Sequence, residues 1–194
     1  FAHVTPRSPT FPKDGMPFLA ARLQWGVDLP QTVKAIDKML DATLKARPDP
    51  FNLHACLHAY LLHKKHFTPA MAAKVKLLAA KWSYSRPIGV SMNYSLMRDG
   101  SGWLAAQEWP DLIDASGNDA AKIKKNCESW LWRIFRDTTN HNASEYDAPV
   151  YYGTDFAPTR MVAEYARDPL LSRAAAMRLD FMLFQTGAHW QKGY

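Results

Sequence analysis

The feature that most constrains this chain is its division into helix-length stretches. Each has apolar residues three or four positions apart, and turn chemistry separates them. Pro30 suits a first helical turn, and Val33, Ile36, Leu40 and Leu44 follow at helical spacing. Arg47-Pro48-Asp49-Pro50 ends that run, because the residue before a proline is pushed out of the helical region. A second helix is predicted from about Phe51 to Lys65. A third starts at the Thr68-Pro69 cap and runs to about Trp82. Residues Ser83 to Tyr94 and Pro110 to Asn118 read as loops on either side of a helix near Ser95 to Trp109, which Gly100 and Gly102 weaken. Asp119 caps a strong helix with Ile123, Cys127, Trp130, Leu131 and Ile134 in register. Two more helices are predicted, about Ala157 to Ala166 and Pro169 to Gly187.

Strand alternation is almost missing, so the fold class is all-α. The last helix has Leu170, Ala174, Met177, Phe181 and Phe184 on one stripe and Leu171, Ala175 and Met182 on the next. A helix apolar on two sides belongs between other helices. Tandem helical hairpins forming part of an α/α toroid are therefore expected. No exact repeat recurs at a fixed period, which argues against a short-repeat solenoid. Residues 1–15, with Pro6, Pro9 and Pro12, read as an extended arm. The helical domain then occupies 16–194 and is expected to be incomplete at its C-terminus.

Charge narrows the partner. Among 194 residues the net charge is +6, which raises the local concentration of anions. Lys and Arg are scattered, with no run of four or more, so nucleic acid and polybasic membrane contact are not expected. No stretch of eighteen apolar residues occurs, and no membrane span is expected. Aromatics reach 12%, with seven Trp and eight Tyr. Flat apolar faces suit sugar rings, although any single aromatic more often fills a core. An acidic glycan satisfies both features.

Three constellations could carry chemistry. The first is Thr138 to Gly153, where Asn140, His141, Asn142, Glu145, Tyr146, Asp147, Tyr151 and Tyr152 are crowded together without a helical period. Such a segment is more often functional than a simple cap. The second is Ser91 to Ser95 with Arg98 and Trp103, where a loop enters a helix and backbone N–H groups favour anions. The third is His54 and His58, spaced i to i+4 but without the glutamate of a zinc helix, since Ala55 follows His54. With no clear third ligand, no metal is expected, nor any other cofactor. Cys56 and Cys127 lie inside apolar patterns and read as buried thiols, though an oxidising compartment would allow a disulfide. Asn93-Tyr94-Ser95 and Asn142-Ala143-Ser144 are glycosylation sequons, which should be unmodified if they serve a site.

The stretches Trp103 to Pro110, Asp114 to Gly117, Trp130 to Asn142 and Glu145 to Asp155 resemble α/α-toroid polysaccharide lyases of the alginate and glucuronan type. The resemblance spans roughly residues 86–187. It implies a secreted or periplasmic enzyme that cleaves a uronic-acid-containing glycan by β-elimination. One group neutralises the C5 carboxylate, a base takes the C5 proton, and an acid protonates the leaving oxygen. By motif position Asn93 and Glu145 are the neutralising pair. Glu145 would be protonated or would orient Asn93, since a facing carboxylate raises its pKa. Tyr152 stands where the family often has a proton-handling His, and His141 is the alternative base. Arg98, Trp103, Asn142, Tyr146 and Tyr151 would bind substrate. Relatives place a further catalytic Tyr and a binding Arg after the last helix seen here. The chain is thus expected to be a fragment, and a second fragment of the same enzyme could be its partner. Two alternatives remain: a non-catalytic domain binding acidic glycan, and a glycoside hydrolase pairing Glu145 with Asp147 or Asp155.

Overall fold

The computed structural model describes residues 12–85, 91–141 and 149–190, with side chains at 13–85, 91–136 and 153–188. Among the described residues it is all-α, and the only strand-like pairing is an isolated bridge between Ile113 and Asp119. The helices are α1 (Pro12–Gln24), α2 (Leu29–Lys45), α3 (Pro50–Leu62), α4 (Pro69–Ala80), α5 (Met92–Glu108), α6 (Ala120–His141), α7 (Pro149–Tyr165) and α8 (Pro169–Trp190), with a short 3₁₀ turn at Lys64–His66. They form two compact units, 1–82 and 83–194.

Side-chain caps start several of these helices. Asp49 accepts from the Asn52 N–H at 3.1 Å, Thr68 from Met71 at 3.2 Å, and Asp119 from Lys122 at 2.8 Å. Asp168 takes both Leu170 and Leu171 N–H groups at 2.9 Å. Each bond satisfies a donor that the first helical turn leaves unpaired. The first helix begins at Pro12, inside the stretch expected to be extended. Met16, Leu19, Ala20 and Leu23 are buried at helical spacing, and that burial outweighs Pro17 within the helix.

In the first unit α1 packs on α2 and α3, and α4 on α2 and α3. Lys74 of α4 reaches Asp37 and Asp41 of α2, and Lys81 donates to the Leu44 carbonyl, so α2 and α4 run parallel. The second unit repeats the plan. There α5 packs on α6 and α7, and α8 on α6 and α7. Asn93 meets Thr154, Gly100 meets Val162, and Gln107 meets the Tyr165 carbonyl, so α5 and α7 are parallel along their whole length. Each unit is thus two helical hairpins stacked with equivalent helices aligned.

Two helix starts differ from expectation. α5 begins at Met92, which puts Asn93 in its first turn rather than in a loop. Gly100 and Gly102 do not break α5; they let it be approached closely. A Cβ on Gly102 would lie 2.2 Å from the Tyr84 ring, and one on Gly100 3.2 Å from Val162. α7 begins at Pro149, eight residues before the expected start. Its buried face includes Asp155 and Thr159, so the apolar period that would reveal a helix is missing there. On α8 the stripe of Leu171, Ala175 and Met182 is buried, whereas Leu170, Met177 and Phe184 are exposed.

Candidate functional site

The beginnings of α5 and α7 lie side by side in the second unit. Asn93 is 2% exposed, and its amide donates to the Thr154 hydroxyl at 3.3 Å. Its carbonyl oxygen accepts from the Ser91 hydroxyl and from the Tyr94 N–H. The amide is therefore oriented, with one hydrogen on Thr154. Thr154 follows Tyr151 and Tyr152 by one turn or less, so the backbone carrying those tyrosines starts beside Asn93.

Directly beneath is a buried ionic cluster. Arg178 of α8 is 1% exposed. Its guanidinium donates to the Thr159 hydroxyl at 3.0 Å, lies 3.7 Å from an Asp155 oxygen and contacts the Met92 sulfur at 3.8 Å. The Phe135 ring of α6 is 5.9 Å from the guanidinium carbon. One arginine thus ties α5, α6, α7 and α8 together under Asn93. A second buried pair lies further along α5, where Arg98 holds Asp99 at 2.6 Å. Burial raises the Asp99 carboxyl to about 6, against the pull of Arg98.

Asp114 organises the loop between α5 and α6. Its two oxygens accept from the Tyr84, Ser116 and Asn118 N–H groups and from the Asn118 side chain, all within 2.9 Å. Burial pushes its pKa up, but these donors overcome it and hold the carboxyl below the usual range. Gly117 closes the turn at φ +78°, a left-handed conformation that favours glycine.

The expected site residues divide into three groups. Asn93 and the backbone of Tyr151 and Tyr152 come together. Arg98 and Trp103 lie in the interior of the second unit, Arg98 on Asp99 and Trp103 only 1% exposed beneath the Lys124 ammonium at 4.8 Å. Asn142, Glu145 and Tyr146, with Asp147, lie outside the described residues, as do the side chains of His141, Tyr151 and Tyr152. His141 is the last residue of α6 rather than part of a loop. Asp155 is buried against Arg178 instead of facing a cleft.

In the first unit the His54 ring stacks on His58 with centroids 5.8 Å apart. Burial, helped by His58, lowers the His54 pKa to about 3. No group of three or more His, Cys, Asp or Glu side chains that could hold a metal occurs among the described residues. Cys56 and Cys127 are free, buried thiols. Burial raises Cys56 to about 12, against a Thr43 hydrogen bond, and carries Cys127 well above its usual value. No helix among the described residues is long and apolar enough to cross a membrane.

Sequence reasoning missed Arg178 as a buried group and Asp114 as a loop organiser. The first had a signal, a lone arginine on the Leu171, Ala175, Met182 stripe. No protein-family model, curated protein or solved structure matches this chain.

Proposed function

We propose that this chain acts on a uronic-acid-containing polysaccharide and cuts it by β-elimination, on stacked helical hairpins of the α/α-toroid type. The observation that carries this reading is the bond between the Asn93 amide and the Thr154 hydroxyl at 3.3 Å. It joins the expected carboxylate neutraliser to the helix that bears Tyr151 and Tyr152. In this reading Asn93, with Glu145, polarises the C5 carboxylate. Tyr152 or His141 removes the C5 proton, and a tyrosine hydroxyl protonates the departing oxygen. The parallel stacking of equivalent helices in each unit supports the toroid architecture, in which such hairpins succeed one another around a ring.

Incubation with alginate or glucuronan should produce the ultraviolet absorbance of an unsaturated uronate. Tyr152→Phe should lower that rate by about two orders of magnitude or more while glycan binding stays near wild type. No absorbance from the wild-type chain across a panel of acidic glycans would end the proposal. A second reading, glycan binding without cleavage, is favoured by the burial of Asn93, which leaves little of its amide for a substrate. It gives binding that weakens with salt and no absorbance.

A further inference from the structure

Lys and Arg look scattered along the sequence, but α6 gathers them. The α6 sequence holds five cations (Lys122, Lys124, Lys125, Arg133 and Arg136) and two carboxylates, Glu128 and Asp137, a net +3 against +6 for the whole chain. Ile123, Cys127, Leu131, Ile134 and Phe135 are buried, so the helix sorts its polar residues outward. Lys122, Lys125, Ser129, Trp132, Arg133 and Arg136 are all exposed on that outer face.

We propose that this face of α6 is a binding strip for a linear acidic polysaccharide. Three observations favour a ligand over a merely solvated surface. First, Lys122 and Lys125 set like charges three residues apart on the exposed face, a repulsion that a polyanion relieves. Second, Trp132 lies among these cations with 39% of its surface exposed. Third, two adjoining shallow depressions share Trp132 and Ser129; Lys124, Lys125 and the carboxylate of Glu128 line one, Arg133 and Arg136 the other. An indole beside cations offers a sugar ring a flat apolar face and its carboxylates their counter-charge.

The strip runs about 21 Å from Lys122 to Arg136 at 1.5 Å per residue, which suits an oligomer rather than one sugar. Its Arg136 end adjoins Phe135, whose ring meets the Arg178 guanidinium, and Arg178 contacts Met92 beside Asn93. A chain lying on the strip is therefore directed towards the starts of α5 and α7. The choice of an acidic glycan rests on the function proposed above; nucleic acid, the other extended polyanion, is an outcome of the test.

The test measures binding of labelled alginate oligomers, a neutral dextran and a single-stranded DNA to the whole chain, at low and at physiological ionic strength. Alginate should bind and weaken with salt, and dextran should not bind. Lys125→Glu/Arg136→Glu should weaken alginate binding about tenfold or more at low salt, and Lys125→Gln/Arg136→Gln less, in the same direction. Trp132→Ala should cost about threefold or more. Lys34→Glu/Lys38→Glu makes the same charge change on exposed positions of α2 and should stay within about twofold. The strip is overturned if its variants bind as wild type does, if the α2 control loses as much, or if DNA binds more tightly than alginate. Alginate binding that depends on the strip without any unsaturated product would sink the lyase reading and leave the strip standing. Cleavage of polymer that no strip variant slows would do the reverse.

Discussion

In the first unit the space between the hairpins is filled by Ile36, Leu40, Leu53, Leu57 and Val75, and its buried polar groups are Thr32, Thr43, His54 and His63. In the second, on the same packing plan, two guanidinium groups and three carboxylates are buried beside the Leu and Met side chains: Arg98, Arg178, Asp99, Asp114 and Asp155. Among its described residues the first unit packs its hairpins without a buried ion pair. Taking ions out of water costs several kcal/mol each, and pairing often does no more than offset it. Of these, only the Arg178–Asp155 pair lies where the α5 and α7 starts converge; Arg98–Asp99 sits further along α5, and Asp114 in the loop that follows it.

Four substitutions can break or sharpen this contrast. The largest effect is expected at Arg178. Arg178→Met should cost about 3–5 kcal/mol, because it strands the Asp155 carboxylate in the interior. Arg178→Met/Asp155→Leu should recover most of that in denaturant unfolding. A single variant as stable as wild type would erase the distinction between the units. Next, Asp114→Ala should cost about 3 kcal/mol, since four donors lose a charged acceptor. Amide exchange should speed up at Tyr84, Ser116 and Asn118, and unchanged protection there would refute the loop's dependence on one carboxylate. Gly102→Ala should cost about 1–3 kcal/mol by driving a methyl into the Tyr84 ring; a melting temperature equal to wild type would show that Tyr84 yields. At neutral pH the smallest effect belongs to the first unit, because it grows only on acidification. His54 is held neutral, its folded pKa about 3 lying below the usual His value of about 6.5. The stability it contributes is present above about 6.5 and is lost as pH falls towards 3, at roughly 1.4 kcal/mol per pH unit. His54→Phe should flatten the acid limb of a stability profile, and an unaltered slope would remove His54 from the account.

The all-α class and most helix limits were legible because caps and breaks are local chemistry. Asp49-Pro50, Thr68-Pro69, Asp119 and Asp168-Pro169 each mark a start that the structure keeps. The start of α7 was hidden because its inner face is polar, so Asp155 and Thr159 read as loop residues. The nearness of Asn93 and Thr154, 61 residues apart, depends on parallel stacking of two hairpins, which no local pattern encodes. The cationic face of α6 escaped a search for consecutive charges because Ile123, Cys127 and Leu131 interrupt the run. Only the 3.6-residue period reunites it. Trp103 and Arg98 had the residue types of a binding surface, but a glycine at 102 and a neighbouring Asp99 draw that stretch of α5 inward instead.

Arg178 also has a mechanical consequence. Leucine and methionine contacts can be exchanged for similar ones when a helix slips, so an apolar seam yields gradually. A guanidinium anchored on Asp155 and Thr159 cannot: moving α8 by one helical turn would carry it about 5.4 Å from both. α8 is therefore pinned to α7 like a peg in a hole, and that pair of helices keeps its register.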